Sequence, residues 1–211
     1  RSMNSQVFLA NNDLIFRNLF LYLDSSIINA DHIIVDAESP DSYKSFIDDV
    51  RLDIELQKSL ISSAALKFLL PLAAGLNESA ELSGRISGTI AELKGRDILV
   101  SYRDYSYLDC DFDFSGLHNF KDTFIHIGVN RLKTNANDFE KIRNHGKPAI
   151  KIPEILHKLG NLSFNGSFTG FTTDFVTYGK IGTEAGTIST DISFRPQEDN
   201  TFRIKGLVKG S

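Results

Sequence analysis

Apolar and polar residues alternate one for one along much of the chain. Val50, Leu52, Ile54 and Leu56 are separated by Arg51, Asp53 and Glu55, and Leu108, Cys110, Phe112 and Phe114 by Asp109, Asp111 and Asp113. Ile125, Ile127 and Val129 repeat the pattern, as do Ile188, Ile192 and Phe194. Successive side chains on an extended backbone point to opposite faces, so this pattern predicts strands with one apolar and one polar face. A sheet of such strands is covered on one side and wet on the other. The long apolar runs and crossover helices of a parallel α/β fold are missing. The chain reads as mostly β.

Three short stretches predict helix. Ser62-Ser63 can cap a segment through Ala64, Ala65, Leu66 and Phe68 that Pro71 ends. A second spans Phe139 to Ile142, and a third starts at Pro153, carries Ile155, Leu156 and Leu159, and stops at Gly160. The first has no row of Lys or Arg on its polar face, so plugging the open apolar side of a sheet suits it better than lying on a membrane. The expected layout is one segment: strands over about 1–58, a short helix over 59–76, then strands over 77–211 with short helices near 138–143 and 153–159. Residues 39–42 and 144–148 read as loops.

One motif occurs three times: apolar, any, Gly, any, apolar, any, Gly. It appears at Leu82, Gly84, Ile86, Gly88; at Phe164, Gly166, Phe168, Gly170; and at Ile204, Gly206, Val208, Gly210. Gly in a strand costs roughly 0.5–1 kcal/mol against Ala, so these placements need a cause. Gly on the same face as bulky residues lets a sheet bend sharply or lets another group approach its backbone. A bent sheet with one apolar face makes a trough. The same pattern also fits a tightly curled sandwich core.

Composition narrows the function classes. The 211 residues suit one domain or a slice of a longer array, and 41% hydrophobic with 24% charged residues is a core-forming balance. A net charge of -4 without a dense basic cluster argues against nucleic-acid binding. Sixteen Phe, six Tyr and no Trp suit dry packing or contact with hydrocarbon. The single cysteine, Cys110, excludes an internal disulfide framework and a Cys-rich zinc site. No apolar run approaches the roughly 20 residues of a membrane-spanning helix. The opening Arg1-Ser2-Met3 reads as the start of an excised piece.

Catalytic chemistry has few candidates. Asp109, Asp111 and Asp113 open like a calcium loop, but Phe114 and Phe120 stand where that loop needs Gly and Glu. At i, i+2 and i+4 they share one strand face, which favours a solvated row over a metal site or a glycosidase acid pair. The five histidines show no close ligand spacing, and His126 reads as exposed. Cys110 shares parity with Phe112 and reads as an inert core thiol. No nucleophile elbow, phosphate-binding Gly loop or dinucleotide fingerprint is present. Tyr105 and Tyr107 fall on one face and Tyr102 on the other, as ordinary cross-strand packing requires.

The stretch Leu162-Ser-Phe-Asn-Gly-Ser-Phe-Thr-Gly170, followed by Thr173-Asp174-Phe175 and by Gly182-Thr183-Glu-Ala-Gly186-Thr-Ile188, resembles the TamB-like members of the AsmA-like superfamily. Ser59, Ile61, Ser62, Leu66, Phe68 and Pro71 are similar to the family's short helix, ahead of the first glycine strand at Leu82 to Gly88. Asn130 to Asp138 and Pro153-Glu154-Ile155-Leu156 are similar to its link between glycine strands. The resemblance implies an internal segment of a large Gram-negative envelope protein, anchored in the inner membrane and crossing the periplasm as an elongated curled β-groove, the "β-taco". It implies a non-enzymatic role, without cofactor or metal, in phospholipid transport to the outer membrane or in assembly of outer-membrane proteins. The implied partners are phospholipid acyl chains and, through parts not in this sequence, an outer-membrane barrel assembly protein. On this reading Leu82, Ile86, Ile90, Phe112, Phe114, Phe164, Phe168, Ile204 and Val208 line the groove. Gly84, Gly88, Gly166, Gly170, Gly206 and Gly210 set its curvature. Two other readings remain open: a β domain whose edges recruit client strands, and a β-fold carbohydrate-active enzyme using the aspartate row.

Overall fold

A computed structural model describes residues 2–23, 25–63, 78–119, 122–140, 160–197 and 202–210. Among these residues twelve strands follow one another: β1 (Ser2–Ala10), β2 (Asp13–Leu23), β3 (Ser26–Ala37), β4 (Val50–Ile61), β5 (Ala80–Thr89) and β6 (Glu92–Tyr102), then β7 (Ser106–Ser115), β8 (Phe124–Asn135), β9 (Asn161–Gly170), β10 (Phe175–Thr183), β11 (Gly186–Pro196) and β12 (Phe202–Gly210). Each pairs antiparallel with the next, so the order in space is the order in sequence. The fold is one open, twelve-stranded antiparallel meander, mostly β and curled like a groove. The predicted fold class holds.

The register turns the alternation in sequence into apolar rows that cross the sheet. One row runs Leu9, Leu14, Val35, Leu52, Gly88, Leu93, Phe114, Ile125, Gly170, Phe175, Phe194 and Ile204. The next runs Val7, Phe16, Ile33, Ile54, Ile86, Gly95, Phe112, Ile127, Phe168, Thr177, Ile192 and Gly206. Further along the strands, Leu82, Val100, Leu108, Leu132, Phe164, Ile181 and Ile188 form a third. Between the second and third lies an irregular line through Leu19, Ala30, Leu56 and Gly84, resuming at Ile98, Cys110 and Val129.

That irregular line is where the sheet bends. Register shifts occur at Asn4/Gln6, on both sides of Ala30, at Leu56/Ser59, Ser83/Arg85, Gly95/Ile98, Asp109/Cys110 and Val129/Leu132. A β-bulge sets extra residues against fewer on its partner, which bends the strand and raises its twist. Bulges at about one level of eight neighbouring strands add up to a crease. Residues beside it are dry: Ala30, Ser59, Ile98 and Cys110 are all buried. No register shift interrupts the pairs from β9 to β12.

Ser59 staples the crease. Its side chain is fully buried, and its Oγ accepts from the Asn29 amide (2.9 Å) while lying 3.1 Å from Asn29 O and 2.9 Å from Gln57 O. The backbone groups freed by the bulge thereby keep partners, as buried polar groups must.

Several expectations need correction. Residues 39–42 are not a plain loop: Ser39 caps a 3-10 helix over Pro40–Ser45 that runs into α1 (Phe46–Asp49). Pro40 at its first position supplies the fixed φ of a helix start. The strand set forth for 1–58 continues to Ile61, so no helix begins at 59. The helix expected near 138–143 starts earlier, as α2 (Ala136–Glu140), because the Asn135 side chain caps it by accepting from the Asp138 amide at 2.8 Å. Ile90 and Tyr105 sit in the turns after β5 and β6, not on strands. Most of the helix expected over 59–76, and that over 153–159, lie outside the described residues.

Candidate apolar groove

The inner face is dry at its centre and open at its edges. Leu82, Ile98, Tyr102, Cys110, Phe112, Phe114 and Ile125 form one buried cluster with Ile61 and Ala80, on β4 to β8. Each fully buried side chain of this size contributes about 1.5–3 kcal/mol. Toward both sheet edges the same rows become exposed: Leu9 on β1 is 78% exposed and Ile204 on β12 is 65% exposed.

Glycine and phenylalanine are fitted to each other on this face. A Cβ on Gly95 would stand 2.2 Å from the Phe112 ring, so the missing side chain is the seat for that ring. Phe112 in turn stacks on Phe114 with ring centres 4.4 Å apart. Across the sheet, Phe168, Phe175 and Phe194 continue as a second run, with centres 4.7 and 5.1 Å apart. These spacings are those of favourable aromatic pairs. At Gly166 and Gly206 a Cβ would collide with the backbone of the neighbouring strand, Tyr178 O at 2.2 Å and Asp191 O at 2.1 Å. Gly84, Gly88 and Gly170 hold positive φ angles of 131°, 109° and 135°, which side-chain-bearing residues rarely adopt. Gly210 faces open space, and nothing around it demands glycine.

The opposite face carries cross-strand ion pairs. Arg96 reaches Asp113 (2.8 Å), Arg85 reaches Glu55 (3.1 Å) and Lys58 reaches Glu81 (2.9 Å). The aspartate row lies here. Asp113 accepts from Arg96, Asp111 from the backbone amide of Asp97 (2.8 Å), and Asp109 from Asn130 Nδ2 (3.0 Å). Each carboxylate braces an adjoining strand. His126, also on this face, hydrogen bonds with Thr169 Oγ1 at 2.8 Å. Among the described residues no three His, Cys, Asp or Glu side chains gather as a metal site would need.

Cys110 lies on the inner face, 4% exposed, opposite Ile98 and Val129. Burial first, and then the charges of Asp111 and Asp109, push its thiol up to about 11. It therefore stays protonated at neutral pH, and the thiolate is the nucleophilic form.

The residues singled out in sequence are distributed as follows. Leu82, Phe112 and Phe114 are buried on the inner face, with Ile86, Phe164 and Phe168 half-buried on the same side. Ile204 shares that face at the open edge, and Val208 stands opposite Thr190 in the same register. Ile90 belongs to none of these rows. Leu14, Phe16, Ile33 and Val35 at one end, and Phe175, Ile181 and Phe194 at the other, extend the face beyond the residues singled out. Alternation around Ile188 to Phe194 signalled the second group. The first is hidden because β2 is apolar at nearly every position, Leu14-Ile15-Phe16 and Leu19-Phe20-Leu21-Tyr22-Leu23, so it shows no period.

No family model, characterised protein or solved structure matches this chain.

Proposed function

We propose that this chain is a non-enzymatic groove segment that holds and passes lipid acyl chains, in a periplasmic protein of the TamB-like kind anchored in the inner membrane. The observation that carries this reading is the passage of two apolar rows across all twelve strands, with their ends exposed at β1 and β12. An acyl chain gains about 0.8 kcal/mol per CH₂ buried. Many weak, equivalent contacts along a row let it slide without a deep trap, and Leu, Ile, Val and Phe side chains supply such contacts. The role would be phospholipid transport between inner and outer membranes, or support of outer-membrane protein assembly.

A second reading rests on the edges themselves. β1 and β12 end the sheet and carry exposed Met3, Val7, Leu9, Ile204 and Leu207. Edge strands can pair with extended segments of client proteins. The aspartate row does not support a carbohydrate-active enzyme in the same way, because its members lie along one strand and brace its neighbours.

Lipid extraction and mass spectrometry on the detergent-free protein test the first reading, beside Phe164→Asp and Phe168→Asp variants checked for strand content by circular dichroism. Phospholipid in the parent and none in the folded variants is the expected result. A parent without lipid that binds extended peptides moves the edge-pairing reading ahead.

A further inference from the structure

The face opposite the apolar rows holds a feature that the groove does not use. Lys133, Ser163, Gly182 and Thr187 stand side by side on β8, β9, β10 and β11. One step along, Lys180 pairs with Asn165. On β8 the bulge sets two residues, Asn130 and Arg131, against that one Asn165. Asn165 Nδ2 donates to the carbonyls of Val129 (3.2 Å) and Asn130 (2.6 Å), which fixes the bulge. Arg131 and Lys133, two residues apart on β8, share this face.

These residues border a hollow of about 380 Å³. Gly182 forms its floor. A Cβ there would meet only the Ser163 hydroxyl, at 2.5 Å, whereas the seat at Gly95 is filled by the Phe112 ring. Among the described residues, no side chain other than Ser163 comes within 4 Å of that position.

Positive charge gathers around the hollow. Arg85, Arg96 and Lys58 are each paired with a carboxylate. Arg131, Lys133 and Lys180 border the hollow, are exposed, and make no ion pair with the described carboxylates. Among the described residues no carboxylate lines it. Asp109, opposite Arg131 on β7, accepts instead from Asn130. Lys133 and Lys180 start two strands and two residues apart, about 10 Å by about 7 Å, a span that two lysine side chains can close onto one anion.

We propose that Arg131, Lys133 and Lys180 bind a phosphate group in this hollow, with the Ser163 and Thr187 hydroxyls as further donors. A phosphate dianion presents several strong acceptor oxygens, enough to engage three cations at once, and the fork of an arginine fits two of them. The space above Gly182 admits the organic part of a phosphomonoester. This site does not depend on the groove reading, since it lies on the other face.

Amide NMR at low ionic strength tests it, titrating inorganic phosphate, then glycerol 3-phosphate, and sedimenting the protein with phosphatidic acid or phosphatidylcholine vesicles. Shifts should centre on Ser163, Gly182 and Thr187. The Lys133→Ala/Lys180→Ala variant should bind phosphate at least about tenfold more weakly, with unchanged strand signal, while Arg85→Ala binds as the parent does. Saturation by glycerol 3-phosphate assigns a soluble ester, and co-sedimentation with phosphatidic acid alone assigns a lipid headgroup. Shifts spread evenly over every cation of the face, or a double variant that binds like the parent, overturn the proposal.

Discussion

Cys110 shows how one position reports the state of the whole sheet. Its alternation with Asp109 and Asp111 places it inward, and the curl of the sheet then removes it from water. A free thiol titrates near 8.5, but burial raises this one to about 11. The native state therefore keeps its proton where the unfolded state has lost it. Stability falls as pH rises between these two values and is insensitive to this group below them. A thiol reagent at pH 8 should leave the native protein unlabelled and label it stoichiometrically in denaturant. Fast labelling of native protein would mean that the inner face is wet at this point.

At the scale of elements, the strands are simple and the bulges are not. β4, β7, β8 and β11 follow from their alternation, and β5, β9 and β12 from the glycine motif. The crease depends on what holds each bulge open. Ser59 is the clearest case, since it answers both the amide and the carbonyl of Asn29 across the β3–β4 pair. Ser59→Ala should cost about 1–3 kcal/mol, because it orphans buried backbone groups. Urea unfolding measures this as a lower midpoint with an unchanged slope. A neutral substitution would show that the bulge is held by strand pairing alone.

At the scale of the molecule, the described residues form a single layer of sheet, which must hide an apolar face by curling. Eleven strand-to-strand steps of about 4.8 Å give a width of about 53 Å before curling. The accessible surface, 13207 Å², exceeds the roughly 9,800 Å² of a compact protein of this mass. Solution scattering should give a radius of gyration clearly above the roughly 17 Å of a compact 211-residue domain. A value at 17 Å would contradict an elongated groove.

Strand character, the parity of each side chain and the inward sense of Leu82, Cys110, Phe112 and Phe168 were decided by local sequence, because a period of two is a property of the extended backbone itself. So were the glycine strands, since only glycine tolerates the φ of Gly84 and Gly170 or the close approach at Gly166. The pairing of β2, apolar on both faces, was not local information. Nor was the alignment of bulges from β1 to β8, which exists only once the register of neighbouring strands is set. Ile90 illustrates the limit: its parity continues that of Ile86, but the chain turns before it can join the row. The hollow at Gly182 is likewise a product of tertiary structure. Arg131, Lys133 and Lys180 lie far apart along the chain or look unremarkable in it, and only the meander brings them around one gap.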